Sequence, residues 1–358
     1  MRHFVFLIAI FVSLIPDLRA DEPFFKPNDV VALVGGEDMV VAAELGYLET
    51  LIQLALPDHH LKFRSLAREG DTVFEQRRDL NYPKLEDQLD KMGATVVICQ
   101  FGQMESLMAM GEAPKDKRDE KDAKDKKDPG KADVPLVPSV PSVPEKADAA
   151  RKAKVGEFVA AYEKLIARLK GKDGARRIAI AMPLFRAVDT GAQKTQADAA
   201  KAASGAYHFA ALDLAKKTGV LSITSIVDDF LPVSFQALTA NGHLNEEAHQ
   251  YWALGMRNDF VAWADGDRNA TPEAFKSETL KPLRDRVAAK NRLWYYYYRP
   301  QNWAFLAGDR TNQPSSRDHL DPSKRWFPEE LEKFVPLIDA KDAEIWALAK
   351  KLSGQGGK

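Results

Sequence analysis

Five short apolar runs, each parted from the next by loop or helical sequence, limit this chain to few folds. The runs are Val30 to Val34, then "HLKFRSLA", "ATVVICQFG", "RRIAIAMPLF" and "GVLSITSIV". The third is too continuously apolar for a strand with one wet face, so it needs cover on both sides. A helix is expected over Gly46 to Leu56, with Leu48, Leu51, Ile52 and Ala55 on one face and Pro57 ending it. "YPKLEDQLDKMG" forms an amphipathic helix closed by Gly93. An apolar stripe runs from Val155 through Phe158, Tyr162, Leu165 and Ile166 to Leu169, and Thr195 to Lys217 is also helical. "NEEAHQYW" opens a last core helix reaching about Ala264. Strand and helix in this order build a parallel sheet with helices on both faces. The expected fold is therefore α/β, a three-layer α/β/α sandwich with a parallel sheet of about five strands.

With 358 residues, 45% of them hydrophobic, the chain can bury a sizeable core. Its formal net charge of −1 gives no electrostatic case for nucleic acid. Met1-Arg2-His3, an apolar run over Phe4 to Ile15 and Pro16 make a secretory signal over residues 1–20, with cleavage expected after Ala20. The expected location is secreted or periplasmic, with no membrane span beyond that segment. The single cysteine, Cys99, excludes an intrachain disulfide and fits a small buried side chain.

Residues 28–266 form the expected core domain. Within it, residues 112–154 are highly charged and then proline-rich, too polar to order themselves, and are expected to be a disordered insertion. Residues 267–358 form a C-terminal extension packing on the core: a basic helix "LKPLRDRVAAKNRLW", a strand-like aromatic ribbon "WYYYYRPQNW", and a final helix near Pro328 to Leu352. Aromatic residues dominate packing energetics, so the ribbon is expected to staple the extension in place. Asn269-Ala270-Thr271 matches a glycosylation sequon by pattern.

Four blocks follow the strands in a telling order: "GGEDM" after the first, "EGDTV" after the second, "FGQMES" after the third, and "NGHLNEEAH" late. They resemble the SGNH (GDSL-type) hydrolases, α/β/α proteins that cleave esters. The phrases "KNRLWYYYYRPQNWAFLAGDR" and "RWFPEEL" look like an exported bacterial subgroup with an eroded serine block. The resemblance implies His243 as general base, with Gly36, Gly70 and Gly102 around an oxyanion. Gln103 is the amide neighbouring Met104, which stands where the family has Asn. At the nucleophile position the chain has Glu37 or Asp38, neither with a hydroxyl, so an acyl-enzyme route is closed. The family's Asp-x-x-His is also altered: Ala240 lies three residues before His243, and Asn241 two before it. Asn can hold a histidine tautomer but does not stabilise imidazolium as a carboxylate does.

Two functions follow from the resemblance. One is hydrolysis of an ester or acetyl ester, small-molecule or carbohydrate, with Glu37 or Asp38 directing water as a general base. The other is a catalytically inactive pseudohydrolase, a binding or scaffolding module. No cofactor or metal is implied, since Glu37, Asp38, Glu105 and His243 lack the spacing of a ligand motif. Ser106 is expected to cap the turn after the third strand. Asp228-Asp229 close the fifth strand and His59-His60 sit in a loop.

Overall fold

The computed structural model describes residues 23–106, 145–183, 194–223, 244–261 and 280–354. Its strands are β1 (Val30–Gly35), β2 (Lys62–Ser65), β3 (Val96–Gln100), β4 (Arg177–Ala181) and β5 (Leu221–Ile223). Its helices are α1 (Glu37–Leu45), α2 (Tyr47–Ala55), α3 (Leu85–Lys91), α4 (Glu145–Lys170), α5 (Lys194–Thr218) and α6 (Glu246–Val261). The C-terminal extension adds α7 (Lys281–Tyr298), α8 (Trp303–Leu306), α9 (Trp326–Glu332) and α10 (Phe334–Ser353). All five strands are parallel, in the order β2-β1-β3-β4-β5, with Leu33 in register with Ser65 on one side and Ile98 on the other.

Period-two alternation sends side chains from each strand to two cores. Val31, Leu33, Val96, Ile98 and Ala179 meet α1, α2 and α6 on one face. Ala32, Val34, Val97, Cys99 and Ile180 meet α3, α4 and α5 on the other. This is the expected α/β/α sandwich. Chain order reverses direction across β1 and β3, which makes their carboxyl ends the topological switch point, the usual ligand crevice of such sheets.

β2 is an edge strand, and its outward carbonyls need donors. The C-terminal extension supplies them. Lys290 Nζ donates to Phe63 O at 3.0 Å, Trp294 Nε1 to Ser65 O at 2.7 Å, and Trp346 Nε1 to Leu61 O at 3.0 Å. The fit is geometric: four residues of helix rise about 6 Å and two of strand about 6.6 Å, so Lys290 and Trp294 on α7 keep step with Phe63 and Ser65. Buried charge locks the same seam. Lys290 Nζ lies 2.7 and 2.8 Å from the Glu49 carboxylate oxygens, and Arg64 makes a two-pronged contact with Asp342 at 3.3 and 2.5 Å.

Several local expectations are corrected. "WYYYYR" is not a strand-like ribbon: the basic helix continues through Tyr298 as α7. Trp294 and Tyr298 are four apart and share its buried face, and the residue before Pro300 is where a helix is expected to stop. Helix α4 begins at Glu145, so residues 145–154 are helical rather than part of a disordered insertion. The rest of that insertion, 112–144, lies outside the described residues. α1, unforeseen, precedes α2, with Gly46 between them in the left-handed conformation (φ 72°). The final helix is two, α9 and α10, meeting at Lys333. Among the described residues, no helix is long and apolar enough to cross a membrane. Residues 1–20, expected to be a signal segment, Asp228-Asp229 and Asn269 lie outside them.

Candidate functional site

The first three sequence blocks converge at the carboxyl edge of the sheet. Gly36 to Asp38, Asp71, Gln100, Phe101 and Gln103 to Glu105 line one small cavity there, at the β1/β3 switch point. Its free volume is about 10 Å³, near the room one water needs. β1 reaches this edge through Gly35: a Cβ at that position would sit 2.5 Å from the Gln100 carbonyl oxygen on β3. Gly36 then caps α1, its carbonyl accepting from Met39 and Val40 N–H, both at 3.1 Å.

Glu37 and Asp38 open α1 and take different places. Asp38 turns inward, is 1% exposed, and its Oδ1 accepts the Leu244 N–H at 3.3 Å. It therefore ties the start of α1 to the chain entering α6, one residue after His243. Glu37 stays half-buried and lines the cavity.

Three further groups fix the loops. Glu105, 3% exposed, accepts Val73 N–H at 2.7 Å and Gly102 N–H at 2.8 Å, bridging the loops after β2 and β3. Burial raises its pKa against the pull of those two amides. Asp71, next to Gly70, faces Arg78 in a two-pronged pair at 2.8 Å on both prongs, and burial outweighs that pairing to raise its pKa. Ser106 Oγ donates to Gln103 O at 2.7 Å, the expected turn-capping contact. Gln100 is buried among them, and its Nε2 has no partner among the described residues.

The expected site residues are thus distributed as follows. Gly36, Glu37, Asp38 and Gln103 share the cavity. Gly102 follows β3, with its N–H already donated to Glu105. Gly70 lies on the open side of its turn (φ 78°), with nothing within 4 Å of where a side chain would start. His243 and Asn241 lie outside the described residues. Sequence reasoning passed over Asp71 and Gln100; each ends or follows a strand at this edge, the one signal that marked them. It weighed Glu105 only as a metal ligand. Among the described residues, no three of His, Cys, Asp and Glu come together as a metal ligand set. Cys99, buried against Tyr162 and Ala179, is no nucleophile: burial pushes its thiol up to about 12.

Because Glu105 holds two backbone amides, Glu105→Gln sets an NH₂ against one of them. A stability loss of about 1–3 kcal/mol is expected in urea unfolding. The pH dependence also changes. A carboxyl raised on folding favours the native state most below its ordinary value of 4.5 and loses that contribution as pH rises through the raised value. The variant's stability is expected to be flatter over that window.

No protein-family model matches the sequence, and no curated relative matches it. Solved structures similar to it include a gut microbial diltiazem-metabolizing enzyme, at 10% identity over 92% of this chain and 95% of that one (TM-score 0.48). Others are the acetylxylan esterase Axe2 from Geobacillus stearothermophilus (12%, 68% and 97%, 0.39) and a lipase/acylhydrolase from Enterococcus faecalis (11%, 65% and 96%, 0.38). All three fall below 0.5 in TM-score, and what the site can do rests on this chain's own residues.

Proposed function

We propose that this chain is an exported SGNH-like protein that has given up serine esterase chemistry and serves as a binding module. The observation that carries the reading is how the groups at the β1 edge are spent. An acyl-enzyme route needs a hydroxyl at the end of β1 and amides free to receive an oxyanion. The chain has Glu37-Asp38 at that point, Asp38 accepts from Leu244, and the Gly102 amide donates to Glu105. Ser106 is engaged as well, its Oγ donating to the Gln103 carbonyl at 2.7 Å.

A second reading has one observation in its favour: half-buried Glu37 lines that water-sized cavity. With His243 it would direct water onto an ester without a covalent intermediate. The deciding assay follows hydrolysis of p-nitrophenyl acetate and acetylated sugars by the purified mature chain, His243→Ala and Glu37→Gln. The binding reading expects all three to be indistinguishable. A drop of about 100-fold or more in both variants, the scale of a lost general base, would establish water activation in its place.

A further inference from the structure

Helix α7 carries two stripes. One, Leu283, Val287, Lys290, Trp294 and Tyr298, is buried on the β2 edge and α10. The other, Ala288, Asn291, Arg292, Tyr295, Tyr296 and Arg299, follows the same helical spacing and faces a groove of about 390 Å³. Val40, Ala43 and Glu44 of α1 form the opposite wall, and Ser65 and Ala67 lie at its floor end of β2. The groove is separate from the β1-edge cavity, shares no lining residue with it, and falls within the size range of small-ligand sites.

Its chemistry is specific. Tyr295 and Tyr296 are 36% and 44% exposed, with ring centroids 5.8 Å apart and planes at 76°, so they form a corner of two aromatic faces. Arg299 pairs with Glu69 at 2.7 and 3.1 Å and lies over the Tyr295 ring at 4.9 Å. Glu44 stands near Arg292, Arg299 and Glu69, and burial raises its pKa. Arg292 and Arg299 are answered by Glu44 in the groove wall and by Glu69 and Glu37 beside it, so the groove has no excess of positive charge to attract a polyanion. Aromatic faces beside planar donors and acceptors suit a ring that is apolar on its faces and polyhydroxylated around its rim.

We propose that the groove between α1 and α7 binds a neutral oligosaccharide, stacked on Tyr295 and Tyr296 and hydrogen-bonded by Arg292 and Glu44. Binding there is independent of any chemistry at the β1 edge. Calorimetric titration of the full mature chain with xylohexaose, cellohexaose and mannohexaose, and with polygalacturonate as the anionic comparison, tests it. Saturable binding of at least one neutral ligand is expected, weakened at least tenfold in Tyr295→Ala/Tyr296→Ala and in Arg292→Ala, each melting as the parent does. Tyr295→Phe/Tyr296→Phe keeps the stacking faces and is expected to retain most of the affinity. No binding of any neutral ligand at millimolar concentration, affinity unchanged by the variants, or preference for polygalacturonate would overturn the proposal.

Discussion

Lys290→Ala is expected to destabilise the folded chain by about 3–5 kcal/mol, the cost of leaving one member of a buried ion pair alone. Lys290 is 0% exposed, and its Nζ is held by both Glu49 oxygens and the Phe63 carbonyl. Burial lifts the Glu49 carboxyl and lowers the Lys290 ammonium, each working against a charge that the partner restores. Truncation strands Glu49 and removes a donor from the β2 edge. The Phe63 carbonyl keeps a second donor in Arg64 Nη1 at 2.8 Å, and Asn291 Nδ2 still reaches Glu49 at 3.2 Å, so local rather than global collapse of the seam is expected. The diagnostic comparison is Glu49→Leu/Lys290→Leu: with no lone charge left, its loss in urea unfolding is expected to be clearly smaller than that of Lys290→Ala. Equal losses would show that the pair acts through volume alone.

Gly35→Ala is expected to cost about 3 kcal/mol, the upper end for overpacking a core. The added Cβ meets the Gln100 carbonyl oxygen at 2.5 Å and the Met39 Cβ at 3.1 Å. Neither is the loose end of a flexible side chain, so β1 and β3 must part at the point where the cavity forms. Gly70→Ala is the contrast. Its space is open and only the left-handed backbone resists, so a loss of about 1 kcal/mol is expected. Thermal unfolding of the two variants side by side reads the difference.

The layers were legible because their signal is periodicity: continuous apolar runs demanded cover on both faces, and β3 at 0% exposure over Val96 to Cys99 received it. The aromatic segment misled because tyrosine and tryptophan favour strands when taken singly. What decided its state was the i, i+4 pairing of Lys290, Trp294 and Tyr298 against β2, a tertiary match that no local preference carries. α1 was missed because the Gly35-Gly36 pair read as a turn, although Glu37 and Asp38 are well placed for a helix N-terminus. At the site, block order put Glu37, Asp38, Gly102 and Gln103 at one edge. It was silent on which acids are engaged, since Asp38–Leu244 and Glu105–Val73 span 206 and 32 residues. Asp71 and Gln100 went unnoticed for the same reason: their surroundings are assembled from separate loops.

The proposal at the centre of this account is that the α/β/α sandwich runs no serine chemistry at its β1 edge. Treatment of the purified protein with a fluorophosphonate, which labels activated serines covalently, tests it most directly. The account predicts no labelling by intact-mass measurement, beside a known serine esterase that labels fully. Stoichiometric modification of Ser106 or any other serine, abolished in His243→Ala, would contradict it.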